Sequence, residues 1–273
     1  MTDAKLDRLS ALLEGLAPVV TFPAFAQSHE QGGSSAVDSP GLQLYCLPSG
    51  ATELEINGAR LLVESPSLVA FRAGQSCVFH PSKTNQLNRL IEVHVRLTGP
   101  VAKLFLEEFE QPRTIRLVDD EPALHLAVTM IESELHAPRC GHPALLNRAG
   151  DIMFIGLLRH LVAHPGAHGA GLFNGLADPR IARALVAMHQ NPALRWDLDR
   201  LAQTAGMSRT AFATKFHDTM RRPPGKYLSA IRLALARRSV DMGKGLKEAA
   251  RVAGYTNTSA LSRALAKAKL QCS

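Results

Sequence analysis

The chain has 273 residues, of which 46% are hydrophobic and 20% charged, a composition that is typical of globular proteins and excludes a disordered chain. Its longest apolar runs fall far short of the roughly 20 residues of a membrane helix, and its N-terminus is too charged for a signal peptide. The net charge of +7 is unevenly distributed, since residues 1–173 hold 13 Lys and Arg against 18 Asp and Glu, whereas residues 174–273 hold 18 against 6.

The basic final hundred residues predict contact with a polyanion. DNA and anionic lipid would both satisfy this charge, and a solvated basic surface is the alternative. The cysteines are scattered without a Cys-x-x-Cys pair, at Cys46, Cys77, Cys140 and Cys272. In the absence of a secretory signal, this spacing predicts reduced thiols, a cytoplasmic location and no membrane association.

The first 20 residues predict a short amphipathic helix, and residues 41–97 then predict six short strands. The strand segments are separated by Ser-Gly, Asn-Gly, Ser-Pro and Ala-Gly, which are common turn sequences. They read LQLYCLP, ATELEING, ARLLVES, SLVAFRA, SCVFH and LIEVHVRL. Six strands at this spacing predict a small sandwich or barrel.

After the strands, apolar residues recur at helical spacing in three segments: VAKLFLEEFEQ, PALHLAVTMIESELHA and PALLNRAGDIMFIGLLRHLVAH. The Gly-, Pro- and Ala-rich segment HPGAHGAGLFNGLADP predicts a linker or a lid and places a domain boundary near residues 173–178. From Asp178-Pro179 onward, where Asp caps and Pro opens a helix, every predicted element is helical. The expected fold is therefore α+β, with domains at residues 1–173 and 178–273.

Two stretches of the basic region, GMSRTAFATKF and GYTNTSALSRAL, nearly repeat each other. The residues up to and including the glycine of each copy align at an offset of 48 residues. The residues after the turn align at 49, because the later turn has one extra residue. The matched pairs are Ala202 with Ala250, Ala205 with Ala253, Gly206 with Gly254, Phe212 with Leu261, and Phe216 with Leu265.

Each copy has the residues that a helix-turn-helix requires. Small alanines let two helices pack closely, and the glycine permits the positive φ that ends the first helix. A hydroxyl residue, Ser208 or Thr256, caps or leads into the second helix. Two large apolar residues four apart hold that helix against its partner and leave its other face to water or to a groove. Two such units in tandem predict a DNA-reading domain.

The two segments LAQTAGMSRTAFATKFHDTMRRPPGKYLSAIRLALARR and EAARVAGYTNTSALSRALAK resemble the AraC family of bacterial transcription regulators, over about residues 178–270. Pro224 and Tyr227 match the family's Gly-x-x-Pro-x-x-Tyr tail, whereas Arg221 stands where its glycine usually does. Strands followed by helices in residues 20–170 are similar to the cupin-type sensing domain of many such regulators. The resemblance implies an N-terminal cupin-like β-barrel followed by helices, and an all-α C-terminal domain with two helix-turn-helix units.

The resemblance also implies which residues meet DNA. In the first recognition helix the base-facing positions would be Thr210, Ala213 and Thr214, with Arg209 near a phosphate. In the second they would be Thr258, Ser259, Ser262 and Arg263. Arg263 is the preferred candidate because arginine can reach guanine O6 and N7, although a phosphate contact or a solvated side chain is the alternative. Six further basic residues are expected at the DNA backbone or in solvent: Arg221, Arg222, Arg237, Arg238, Lys244 and Lys247.

The second copy departs from the family in two ways. Its aromatic core positions are leucines, and the proline of its tail would fall at Ser273, the last residue of the sequence. We therefore expect a frayed helix over residues 258–270 and weaker DNA binding than in a complete member.

The N-terminal half lacks the histidine pattern of a metal-dependent cupin enzyme, which needs about three His and one Glu at one cavity. Cys77 stands where Gly-x-x-His would place a histidine, and His29, His80 and His94 are scattered. We therefore expect no metal, no cofactor and no catalysis. A small molecule in the barrel mouth could be the signal. Alternatively, Cys46 and Cys77, predicted in strands of one small sheet, could respond to an oxidant or soft metal, unless both are buried hydrophobic residues.

The predicted helices at 122–164 are either a dimer contact, with Leu157, Leu158 and Leu161 exposed, or ordinary core. The expected partners are double-stranded DNA, a small-molecule effector or oxidant, RNA polymerase and a second copy of the chain. Activation and repression are both open at this stage. Two other interpretations are a cupin enzyme with a helical appendage and an interaction protein whose incomplete second repeat no longer binds DNA.

Overall fold

The structure, a computed structural model, describes residues 7–23, 40–80, 90–117, 121–165 and 170–270. Its contacts divide the chain into two compact units. The sheet unit takes its residues from Pro18–Thr98 and Phe105–Leu161, and the helical unit from Met1–Ala17, Gly99–Leu104 and Val162–Ser273. The domain limits at 173 and 178 stay a prediction.

The sheet unit contains two antiparallel sheets. Its strands are β1 Pro18–Thr21, β2 Gly41–Leu47, β3 Ala51–Ile56, β4 Ala59–Glu64, β5 Ser67–Arg72, β6 Cys77–His80, β7 Ile91–Leu97 and β8 Arg113–Arg116. The first sheet has the order β1-β7-β2-β5-β8 and the second has the order β4-β3-β6. All six predicted strands are confirmed, as is the α+β class. The described strands form a two-sheet sandwich rather than a closed barrel.

The two sheets share one apolar core. Alternate residues of β3, Leu54 and Ile56, pack with Leu47 of β2 and with Val69 and Phe71 of β5. The β3–β4 hairpin turns at Asn57-Gly58, where both residues have positive φ (49° and 80°), as the Asn-Gly pair predicts. The register of this hairpin decides which side chains of β3 face inward.

Two long helices belong mainly to the sheet unit, α3 Pro122–His136 and α4 His142–Ala163; they follow the short α2 Ala102–Leu106 and a 3₁₀ turn at Glu107–Phe109. Gly156 of α4 lies close to Leu124 of α3: a Cβ added to Gly156 would lie 2.9 Å from the backbone of Leu124. Leu157, Leu158 and Leu161 are all buried, so the alternative that exposes them for a dimer contact is wrong. The core interpretation is confirmed.

The helical unit contains eight helices among its described residues: α1 Arg8–Leu16, α5 Leu172–Ala177, α6 Pro179–Gln190, α7 Leu198–Ala205, α8 Arg209–Met220, α9 Pro224–Asp241, α10 Leu246–Val252 and α11 Thr258–Leu270. The predicted N-terminal helix is α1, which contacts α6. Part of the predicted linker forms α5, whose Leu172, Phe173 and Leu176 are buried. None of the helices in the described ranges is long and apolar enough to cross a bilayer.

Candidate nucleic-acid interface

The first helix-turn-helix consists of α7, a tight turn and α8. Gly206 ends α7 in the left-handed conformation (φ 67°, ψ 41°), and the Met207 N–H donates to the Ala202 carbonyl at 2.9 Å. Ser208 then caps α8, its Oγ accepting from the Ala211 N–H at 3.4 Å. The glycine and the cap therefore have the roles that the sequence predicts.

The inner face of α8 is held by a buried aromatic cluster. Phe212 and Phe216 are fully buried, and the Phe216 ring lies 6.0 Å from that of Tyr227, on α9. The Tyr227 hydroxyl lies 2.8 Å from Nε2 of the half-buried His189, on α6. The tail residue Tyr227 thus connects α6, α8 and α9, which fixes the orientation of the recognition helix.

The second unit repeats the turn of the first. Gly254 has φ 73°, and the Tyr255 N–H donates to the Ala250 carbonyl at 2.9 Å, the equivalent of the Met207–Ala202 bond 48 residues earlier. Leu261 is fully buried at the position of Phe212, and Leu265 packs beside it. The same backbone geometry therefore forms with a smaller, aliphatic core.

The cap of α11 differs from the expectation. The Ala260 N–H donates to Asn257 Oδ1 at 2.8 Å, so Asn257 is the capping residue and Thr256 is the extra residue of the longer turn. Ser208 and Asn257 are 49 residues apart, the offset of the apolar positions that follow. Asparagine serves as well as serine here because its side-chain oxygen accepts the same type of hydrogen bond.

The two units are tied together through the loop between α6 and α7. Arg232 of α9 donates from Nε to the Pro192 carbonyl and from Nη2 to the Leu194 carbonyl, both at 2.8 Å. Between these residues, Ala193 lies against Gly254, whose hydrogen faces the Ala193 backbone. The α6–α7 loop is thus held by α9 and by the second turn, which restrains the spacing of the two recognition helices.

The predicted DNA contacts on α8 occupy its outer side. Arg209, Thr210 and Thr214 are exposed, whereas Ala213 is half-buried and lines a groove beside Trp196. Arg209 Nη1 lies 3.3 Å from Asp199 Oδ2, an ion pair in which both side chains are about two-thirds exposed. A phosphate could compete with such a pair because exposed ion pairs contribute little to stability, on the order of 0–1 kcal/mol.

The predicted contacts on α11 lie together on the corresponding side. Ser259, Ser262 and Arg263 are exposed, and Thr258, in the first turn, is half-buried. Within the described residues Arg263 has no ion-pair partner, in contrast to Arg209.

Four residues of the outer faces were missed by the sequence reasoning: Ala266 and Lys267 on α11, and His217 and Asp218 on α8. All four are exposed. They lie three or four residues beyond Thr214 and Arg263, one helical turn farther along, so the 3.6-residue period was the signal that could have identified them.

The opposite edge of α8 is anchored to the start of α6. Asp178 caps α6 by accepting from the N–H groups of Arg180 and Ile181, and its second oxygen pairs with Lys215. Burial raises the pKa of Asp178, but the Lys215 ammonium and the two N–H donors outweigh it, so its pKa is held below the ordinary value. Lys215 is consequently committed to an internal contact rather than to DNA.

The candidate sensing cysteines lie in different sheets, not in one small sheet as expected. Cys46, on β2, is fully buried and its Sγ lies 3.9 Å from Met153 Sδ on α4. Its neighbour Tyr45 points the other way, into the core between the sheets, where Cys77 of β6 also packs. Because side chains alternate along a strand, β2 separates the two thiols.

Both thiols are expected to react slowly. Burial raises the pKa of Cys46 to about 12, and burial, partly offset by a Tyr45 hydrogen bond, raises that of Cys77 to about 11. At pH 7.5 a thiol reagent should label the exposed Cys140 at least about 100-fold faster than either, because the thiolate is the nucleophile. Peptide mapping by mass spectrometry during labelling measures these rates. Formation of a Cys46–Cys77 disulfide in the folded protein would contradict the expectation.

Two of the three candidate histidines, His80 and His94, pair with carboxylates. His80 Nε2 lies 3.0 Å from Glu55 Oε2, and His94 Nε2 lies 2.8 Å from Glu92 Oε1. His29 lies outside the described residues. The described part of the chain holds no group of three or more His, Cys, Asp or Glu side chains that could bind a metal ion.

Comparison with known proteins finds two families and several relatives. The family described as Cupin matches residues 7–163, and the family described as Helix-turn-helix domain matches residues 201–271. A Streptomyces lividans protein described as an AraC-like transcription regulator is 35% identical over 156 residues, which are 55% of this chain and 51% of that protein. A Streptomyces antibioticus protein of the same description is 35% identical over 142 residues, 51% of this chain and 46% of that protein.

The chain thus spans about half the length of these relatives. Among solved structures, ToxT from Vibrio cholerae is similar with a TM-score of 0.36 and 8% identity, over 92% of this chain and 89% of that one.

Proposed function

The chain belongs to the cupin family through residues 7–163, its residues 201–271 match the helix-turn-helix domain family, and it is similar to AraC-like regulators; from this premise we propose that it is an AraC-family, sequence-specific DNA-binding transcription regulator. The helical unit reads DNA, and the sheet unit receives the signal that controls it. The protein acts in the cytoplasm and is not an enzyme.

One observation carries the proposal: two helix-turn-helix units of the same geometry are held at one spacing in a strongly basic unit. The two turns have equivalent backbone hydrogen bonds. Contacts of Arg232 and Gly254 connect both units to the α6–α7 loop. Two recognition helices held in this way suit successive major-groove segments about one helical turn, roughly 34 Å, apart. Both recognition helices leave an outer face exposed, and Arg263 and Lys267 on α11 give the second face a positive charge, which favours a DNA partner over a helical bundle without one.

The residues divide into two roles in this proposal. Arg209 contacts a phosphate after its ion pair with Asp199 breaks. Seven side chains face the bases: Thr210, Ala213, Thr214, Thr258, Ser259, Ser262 and Arg263. Contacts to phosphate set the register of the protein on DNA, whereas contacts to base edges give sequence specificity.

The signal site in this proposal lies between the two sheets. Gln43, Tyr45, Glu92 and His94 share one face of the first sheet, because β2 and β7 pair Gln43 with His94 and Tyr45 with Glu92. Gln43 is 3% exposed, and its Oε1 has no hydrogen-bond partner in the described structure. A small effector with a hydrogen-bond donor would satisfy this acceptor. RNA polymerase and a second copy of the chain are further partners.

The test is binding of the purified protein to a genomic DNA fragment library at two salt concentrations, with and without an oxidant. We expect enrichment of a limited set of fragments and a steep loss of affinity with salt, because phosphate contacts release counterions. Equal binding to all fragments, or none, would overturn the proposal.

Replacing Arg263 should lower affinity for the selected site by about 10- to 100-fold, since a bidentate arginine–guanine contact is worth about 1–3 kcal/mol. Arg263→Ala should also relax the preference at one base pair, which titration against single-base variants of the site measures. Arg148→Ala, which removes an exposed arginine of α4, is the control for charge. A loss that is equal for every sequence would make Arg263 a phosphate contact instead.

A further inference from the structure

The two recognition helices can be compared position by position. Their caps, Ser208 and Asn257, and their first core residues, Phe212 and Leu261, are both 49 residues apart. An offset of 49 therefore pairs every outer position of α8 with one of α11.

The paired outer positions differ in charge. Thr210 corresponds to Ser259, so the first turns both present a hydroxyl. One helical turn toward the C-terminus, Thr214 corresponds to Arg263. A further turn along, Asp218 corresponds to Lys267. Asp218 is the sole carboxylate of α8, and α11 has no acidic residue. The first outer face is therefore acidic at its far end and the second is basic.

These side chains select different base edges. An ionised carboxylate only accepts hydrogen bonds, so in the major groove it fits the amino group at N4 of cytosine. Arginine and lysine only donate, and their commonest base partners are O6 and N7 of guanine. Both cations are available, because neither Arg263 nor Lys267 has an ion-pair partner in the part of the chain that the structure describes.

The neighbours of Asp218 leave it accessible. Its Oδ1 lies 3.6 Å from Nδ1 of His217, and the two side chains are 71% and 60% exposed, so this contact is loose. The nearby basic residues of α8 have other carboxylate partners, since Lys215 pairs with Asp178, the cap of α6, and Arg209 pairs with Asp199 of α7.

We propose that Asp218 and the Arg263–Lys267 pair are specificity-determining residues of opposite chemistry. Asp218 accepts from a cytosine amino group in the segment read by α8, and Arg263 and Lys267 donate to guanines in the segment read by α11. The inference rests on the proposed function, and it adds that the target site is asymmetric. A carboxylate without such a base partner would only repel the phosphates.

The test is selection of binding sites from a randomised DNA library by the wild-type protein, Asp218→Asn and Asp241→Asn. Asparagine bonds bidentately to N6 and N7 of adenine, so Asp218→Asn should change one selected position from cytosine to adenine. We expect a shift of about 10-fold in the ratio of the two bases there, with the guanine positions unchanged. Asp241, an exposed carboxylate at the end of α9, is the matched control and should change nothing.

A second variant tests the other helix. Lys267→Ala should weaken the guanine preference in the α11 segment and leave the cytosine position intact. If Asp218→Asn raises affinity equally for all sequences, the carboxylate is only a repulsive charge and the inference is overturned while the proposed function stands. If the wild-type protein selects no sequence, both are overturned.

Discussion

Gly254→Ala is expected to destabilise the helical unit by about 2–5 kcal/mol. A residue with a side chain pays about 1–2 kcal/mol in the left-handed region, and Gly254 has φ 73°. Its new Cβ would also lie 2.6 Å from the Ala193 Cα and 2.8 Å from the Ala193 carbonyl oxygen. Backbone atoms cannot move aside as a flexible side chain can, so a further cost of about 1–3 kcal/mol for overpacking is expected.

Gly206→Ala is the matched control, because Gly206 occupies the same place in the first turn with nearly the same φ, 67°. The nearest atom to its added Cβ would be Arg183 Nη1 at 3.5 Å, the end of a flexible side chain. Gly206→Ala should therefore lose only the about 1–2 kcal/mol of unfolding free energy that the left-handed backbone conformation costs.

Urea unfolding followed by the fluorescence of Trp196, the single tryptophan, measures both free energies in the helical unit. Equal losses in the two variants would mean that the contact between Gly254 and Ala193 does not restrain the second unit. A larger loss in Gly254→Ala should be accompanied by weaker DNA binding, since the displaced turn carries α11.

The elements predicted correctly are those with a strong local pattern. Alternation and turn residues identified the six strands of residues 41–97, because each strand is bounded by its own turn sequence. The edge strands β1 and β8 were missed because they lie outside the run of turn-separated strands that identified the equally short β6. β1 overlaps the segment predicted as the N-terminal helix, and β8 lies between two segments with helical spacing. The pairing of strands into two sheets is also non-local, which is why Cys46 and Cys77 were wrongly placed in one sheet.

The same limit applies to the candidate interface. The glycine turns and the core of each recognition helix follow from local spacings of at most seven residues, and they were predicted. The α6–α7 loop contacts with Arg232 and Gly254 join residues about 40 to 60 apart, so no periodicity indicates them. Helical spacing likewise identified Leu157 and Leu158 as one face of α4 but not whether that face is covered.

Lowering the pH from 7 to 4 is expected to remove about 3 kcal/mol of stability from the helical unit through His189. Its Nε2 bonds to the Tyr227 hydroxyl, and its Nδ1 is buried without a partner in the described structure. Burial lowers the pKa of His189 to about 4, from an ordinary value of about 6.5. Between these values the unfolded chain binds the extra proton, so stability falls as the pH decreases through this window.

Asp178 acts in a separate, more acidic window. Because its pKa is depressed in the folded protein, it stabilises the fold above its unfolded pKa of about 3.8, and this contribution is lost as the pH falls through the lower folded value. Acid unfolding above pH 4 should therefore depend mainly on the histidine rather than on this carboxylate.

His189→Gln separates the histidine from other titrating groups, because glutamine can still bond to Tyr227 but carries no proton in this range. Urea unfolding monitored by Trp196 at pH 7, 6, 5 and 4.5 should give a falling free energy for the wild-type protein and a nearly constant one for the variant. Since His189 supports Tyr227, and Tyr227 supports Phe216 under α8, the first recognition helix should lose its DNA affinity over the same range. An equal fall in the variant would assign the acid sensitivity to a different group.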